Sequence, residues 1–165
     1  MSEQIIYGDG VYSGELNESG ERHGHGKMEY NDGVVYEGSW QNDSFGGVGV
    51  LTLPGGSTYM GEFRNGQRHG NGVYSSVGGA TYDGEWKNDQ MCGHGIMKFP
   101  GGDYYEGTFE NDQRCGYGVC RTAGGLFIYE GQWKNDKYNG IGILKTGNGK
   151  IVHEGLFENG KPIKQ

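Results

Sequence analysis

The chain has 165 residues, 36 of them glycine, and a net charge of -7. Hydrophobic residues reach only 33% with a mean hydropathy of -0.75, too little for a closed core of ordinary size, while 13% aromatic residues are too many for a solvated glycine-rich tail. The balance of 21 Asp+Glu against 14 Lys+Arg is not the basic face that nucleic acid binding needs, and it weighs against direct adsorption to an anionic membrane. Met1 to Ile6 lack the basic start and apolar run of a signal peptide, and no stretch approaches the roughly 20 apolar residues of a membrane span. Three cysteines without framework spacing fit a reducing compartment. The expectation is a cytoplasmic chain, with a nuclear one as the alternative.

Read from the N-terminus, the chain is periodic. Residues 5–11 resemble the end of a unit, and full units follow at 12–35, 36–58, 59–81, 82–104, 105–128 and 129–152, with a partial one at 153–160, all within a single domain, 1–165. Each opens on Tyr-x-Gly: Tyr12, Tyr36, Tyr59, Tyr82, Tyr105 and Tyr129, with His153 in the last copy. Two residues after that glycine stands Leu16, Trp40, Phe63, Trp86, Phe109, Trp133 or Phe157, and in all but the first copy an Asn follows. The second half of each unit carries a Gly-x-Gly pair, from Gly24/Gly26 to Gly140/Gly142. The first unit holds an extra residue within 17–22. The fifth and sixth hold theirs near Leu126 to Ile128 and Lys150 to Val152, where a bulge or longer turn is expected.

Side chains in Tyr-Glu-Gly-Ser-Trp alternate with period two, so Tyr, Gly and Trp share one face and the acids the other. Asn-Asp and Asn-Gly supply turns with φ > 0, and Pro54-Gly55-Gly56 and its equivalents close the second strand. Each unit is therefore a β-hairpin. The fold class is all-β: an elongated, single-layer antiparallel β-meander of chained hairpins, twisted and curved, with a groove. Roughly fourteen strands at about 4.8 Å each would span on the order of 65 Å. Aromatic rings are expected to lie across bare glycine backbone, and both ends leave open sheet edges.

The order Tyr-x-Gly-x-Trp-x-Asn followed by Gly-x-Gly resembles the MORN (membrane occupation and recognition nexus) repeat, from about Ile5 to Asn159. The resemblance implies a non-enzymatic interaction scaffold or adaptor at the cytoskeleton, cilium or axoneme, or in a membrane-associated complex. Its alternatives are a phosphoinositide- or membrane-binding module and a regulatory subunit acting in trans on an enzyme.

The residues hold no catalytic constellation. The Gly-x-Gly pairs lack the helix that a phosphate loop needs. His23, His69, Cys92 and Cys115 share one column of the repeat, but copies two strands apart stand about 10 Å from one another, too far for one zinc ion or a disulfide. Cys115 and Cys120 have the wrong spacing for a redox pair. The recurring acids, among them Glu15, Glu37, Glu62, Glu85, Glu106 and Glu130, read as a solvated stripe. No cofactor or metal is expected. The expected binding surface is the aromatic row Tyr36, Trp40, Tyr59, Phe63, Tyr82, Trp86, Tyr105, Phe109, Tyr129 and Trp133, open to a partner's helix or extended peptide. The opposite face, with Val50, Val73, Ile96, Val119 and Ile143, is its competitor, and a homodimer through one end is a further expectation.

Overall fold

The structure, a computed structural model, describes residues 4–164. Its strands are β1 (Gln4–Tyr7), β2 (Gly10–Leu16), β3 (Arg22–Tyr30), β4 (Val35–Gln41), β5 (Ser44–Thr52), β6 (Thr58–Arg64), β7 (Gln67–Ser75) and β8 (Thr81–Lys87). They continue as β9 (Gln90–Lys98), β10 (Tyr104–Glu110), β11 (Gln113–Arg121), β12 (Phe127–Lys134), β13 (Lys137–Thr146), β14 (Ile151–Glu158) and β15 (Lys161–Pro162). All fifteen follow one another in chain order in a single open sheet, an antiparallel meander. The fifteenth strand was not expected: Lys161 pairs with Glu158 and Pro162 with Phe157. Contacts divide the chain into two compact units, one running to Val77 and including Trp86–Asp89, the other made of Gly78–Glu85 and the residues from Gln90 onward.

The turns behave as their residues dictate. Asn42 and Asp43 both take positive φ (48° and 62°), the mirror-image turn whose twist matches flanking antiparallel strands, and Gln41 pairs directly with Ser44 across it. The extra residue of the first unit is absorbed by Asn17, whose side-chain oxygen accepts from the Ser19 and Glu21 amides. That of the fifth becomes a 3-10 turn at Ala123–Gly125, and that of the sixth a register shift between Leu144 and Lys145.

The two glycines of each pair do different work. The second is bare floor: the Tyr36 hydroxyl end lies over Gly49, and a Cβ there would stand 2.4 Å from its oxygen. The first is a β-bulge: Gly47 has φ 66°, and the β4–β5 register slips between Gly38 and Trp40. A bulge leaves an amide without a ladder partner, and the acid column supplies the acceptor. Glu15 accepts from the His25 amide at 2.9 Å, Glu62 from Asn71 at 2.9 Å and Glu85 from His94 at 2.8 Å. Gln132 serves Ile141 in the same way at 2.8 Å. These carboxylates are exposed but not idle. Glu85→Ala should cost about 1 kcal/mol in urea unfolding, whereas Glu85→Gln, which copies Gln132, should cost almost nothing.

Candidate protein-interaction surface

Within each unit the aromatic residues interlock in one row. In the first, Trp40 stands edge-on to Tyr12 and Tyr36 (ring centroids 5.4 and 5.2 Å), Phe63 to Tyr36 and Tyr59 (5.2 and 5.1 Å), and Trp86 to Tyr59 (5.3 Å). In the second, Phe109 joins Tyr82 to Tyr105, Trp133 joins Tyr105 to Tyr129, and Phe157 closes on Tyr129. Each tyrosine hydroxyl donates three residues ahead to a backbone carbonyl, as Tyr36 does to Ser39 at 2.7 Å. The indoles of Trp40, Trp86 and Trp133 donate to the carbonyls of Gly26, Gly72 and Gly118 at 3.0, 3.0 and 3.1 Å. Every polar atom of the row thus keeps a partner while its rings are packed away.

All ten residues of the expected binding surface fall in this row, and all are buried to 5% exposure or less. They form the core of the molecule. Over them lies a second column, two residues before the first glycine of each pair: Arg22, Phe45, Arg68, Met91, Arg114 and Tyr138. The guanidiniums of Arg22, Arg68 and Arg114 lie 4.6, 4.3 and 4.5 Å from the ring centroids of Trp40, Trp86 and Trp133. Phe45 stacks on Tyr36 and Tyr138 on Tyr129, both at 3.8 Å and nearly parallel.

The turn that follows each covering residue is matched to it. Where the cover is arginine, the turn ends in Asp43, Asp89 or Asp136, whose carboxylate accepts from the arginine Nε at 2.8, 3.0 and 2.9 Å. Where it is Phe45 or Tyr138, the turn ends in Gly66 or Gly160. Met91 departs from the rule: its amide donates to the Asp112 carboxylate at 2.8 Å. In every copy the turn's second residue also donates its amide to the covering residue's carbonyl, as Asp89 does to Arg68. The Arg22 amide and side chain beside Asp43 hold that carboxyl below its usual range. The sequence held a sign of this column that single-repeat reading passes over, namely arginines at 22, 68 and 114, a step of two repeats.

Of the other singled-out side chains, Cys120 meets this column, its thiol hydrogen-bonded with Tyr138. His23 Nδ1 is 3.2 Å from Asn42 Oδ1, and all three cysteines are free thiols, with burial pushing those of Cys115 and Cys120 up. Among the described residues no group of three or more His, Cys, Asp or Glu is placed to hold a metal ion.

Burial gives the row a pH signature. Desolvation raises the phenols of Tyr36, Tyr82 and Tyr105, and pushes those of Tyr59, Tyr129 and Tyr138 up to about 12. An unfolded tyrosine ionises near pH 10. Between these values the folded chain holds more protons than the unfolded one, so the stability contributed by neutral buried phenols is complete below pH 10 and is lost as pH rises towards 12. An alkaline titration should show tyrosinate absorbance from these residues appearing together with the loss of near-UV circular dichroism, in one cooperative step.

No curated protein matches the chain. The TCP domain of Drosophila melanogaster SAS-4 (dCPAP), solved in complex with a proline-rich motif of Ana2, is similar at 13% identity over 95% of this chain and 90% of that one, with a TM-score of 0.51. A second structure, the TCP10c domain of Drosophila melanogaster Sas-4, gives 12% identity over 92% and 96% with a TM-score of 0.36. The likeness to the first is one of fold. The MORN repeat itself matches six times in succession, at residues 12–35, 36–58, 59–81, 82–104, 105–126 and 129–151, and the chain belongs to the MORN repeat family.

Proposed function

We propose that this chain is a non-enzymatic protein-interaction scaffold whose aromatic side seats an extended peptide of a cytoskeletal partner. The observation that carries the reading is the covering column, in which Arg22, Arg68 and Arg114 alternate in chain order with Phe45, Met91 and Tyr138, the arginines and the two rings lying on the Tyr/Trp/Phe row. Rings held rigidly at their faces lose little entropy when a partner packs on them, and cations set between apolar side chains give a peptide its register. The ten row residues act beneath, where they fix the height and orientation of the covers. The same fold in SAS-4 is seen with a proline-rich motif bound, and an extended proline-bearing segment is stiff enough to lie along such a row. The arginines are already matched by Asp43, Asp89 and Asp136, which favours a peptide over an anionic membrane surface.

The test is fluorescence anisotropy with a panel of labelled proline-rich peptides, alongside proximity labelling of the tagged chain in cells. Phe45→Ser and Tyr138→Ser should each weaken binding tenfold or more, and the labelled set should be enriched in cytoskeletal or centriolar proteins. Binding that ignores both substitutions would remove the aromatic side as the site, and phosphoinositide-dependent flotation with vesicles in place of peptide binding would overturn the scaffold reading.

A further inference from the structure

The opposite face of the sheet carries a feature that the repeat does not explain. In the middle of the Tyr-x-Gly motif the seven copies have Ser13, Glu37, Met60, Asp83, Glu106, Glu130 and His153-Glu154-Gly155; only the third copy is apolar. In the second unit this row alternates Ile96, Glu106, Val119, Glu130, Ile143 and Glu154 in direct lateral register, so that acids interrupt the aliphatic residues throughout. In the first unit Val50, Met60 and Val73 are consecutive lateral partners, with Val48 two residues along β5 from Val50. Met60 is 59% exposed and Val48 61%. A shallow cavity of about 450 Å³ opens here, lined by Val35, Val48, Val50, Met60, His25 and Glu37 among others.

We infer that this patch is a second docking site, and that its occupant is a short amphipathic helix of a protein partner with lysine or arginine beside its apolar residues. Three arguments fix the occupant. Strands within the sheet spend their backbone hydrogen bonds on their lateral neighbours and offer none to either face; a proline-bearing segment on the aromatic side brings few N–H donors of its own, whereas a proline-free segment lying flat on this aliphatic patch satisfies its N–H and C=O groups within itself only as a helix. The row from Val50 to Val73 spans two strand spacings, about 10 Å, close to two turns of helix. The exposed carboxylates of Glu37, lateral partner of Val50, and Glu62, lateral partner of Val48, border the patch, and the chain as a whole carries -7, so a basic flank is complementary. A scaffold that joins two proteins needs two separate surfaces, and this one lies on the side of the sheet away from the aromatic row.

The test uses the full chain and two synthetic amphipathic peptides with the same aliphatic stripe, one flanked by lysines and one by glutamates, in titration calorimetry and amide chemical-shift mapping. Met60→Glu restores the residue type found in most other copies, so the fold is kept. The lysine-flanked peptide should bind at least tenfold tighter than the other, shift the amides of Val48, Val50, Met60 and Val73, and lose tenfold or more with Met60→Glu while ignoring Phe45→Ser. The inference is overturned if neither peptide binds, if Met60→Glu leaves binding unchanged, or if sedimentation shows wild-type self-association that Met60→Glu abolishes, which would make a second copy the occupant. Loss with Phe45→Ser instead would assign the peptide to the aromatic side, leaving the scaffold reading intact and this one refuted.

Discussion

Gly49→Ala is expected to destabilise the chain by about 3 kcal/mol, near the upper end of what an added methyl does in a packed interior. The new Cβ would stand 2.4 Å from the Tyr36 hydroxyl oxygen and 2.6 Å from its Cζ. That ring cannot retreat. Phe45 lies parallel to it at 3.8 Å, Trp40 and Phe63 stand against it edge-on, and the hydroxyl is committed to the Ser39 carbonyl. Urea unfolding followed by tyrosine and tryptophan fluorescence measures the loss. Gly101→Ala is the control, because its added methyl meets nothing within 4 Å and its backbone is not left-handed; it should stay within about 0.5 kcal/mol of wild type. Equal effects at the two sites would mean that glycine matters for chain entropy and not as the floor under the ring.

Trp133→Ala should cost about 4 kcal/mol, through lost burial and a cavity that the rigid sheet cannot close. The indole is 5% exposed, touches Tyr105, Tyr129 and Tyr138 edge-on, and carries the Arg114 guanidinium. Trp133→Phe is the informative partner, since Phe63, Phe109 and Phe157 hold the same place in alternate copies. It keeps the edge-on contacts and should lose only about 1.5 kcal/mol, the share of the hydrogen bond to the Gly118 carbonyl and of the larger ring beneath Arg114. Were phenylalanine as damaging as alanine, the hydrogen bond and not the packing would dominate.

Much of this was legible in the sequence because it is local. Period-two alternation put Tyr, Gly and Trp on one face, and Asn before Asp or Gly announced φ > 0 turns. What stayed hidden depends on partners distant along the chain. Gly47 and Gly49 look alike, yet one is a bulge and the other a floor, and only pairing with β4 separates them. Glu85 reads as solvated until the bulge exposes the His94 amide that it accepts. Arg68 in a strand reads as solvent-facing, because neither Trp86 below it nor Asp89 beside it is near in sequence. The strand at Lys161–Pro162 was too short, and its proline too contrary to strand habit, to be expected at all.

The matching of each covering residue to the turn beyond it decides how an array like this can change length. Counting from one Tyr-x-Gly to the next gives the period but the wrong module. Removing residues 59–81 would bring Phe45 to the turn that ends in Asp89, leaving a carboxylate with no guanidinium and an indole under a phenyl ring. Removing residues 44–66, the same number, takes Phe45 away together with its own Gly66 and leaves Arg22 with Asp43 and Arg68 with Asp89. Recombination, natural or engineered, therefore has a reading frame here, with its joints at the Asn-Asp and Asn-Gly turns.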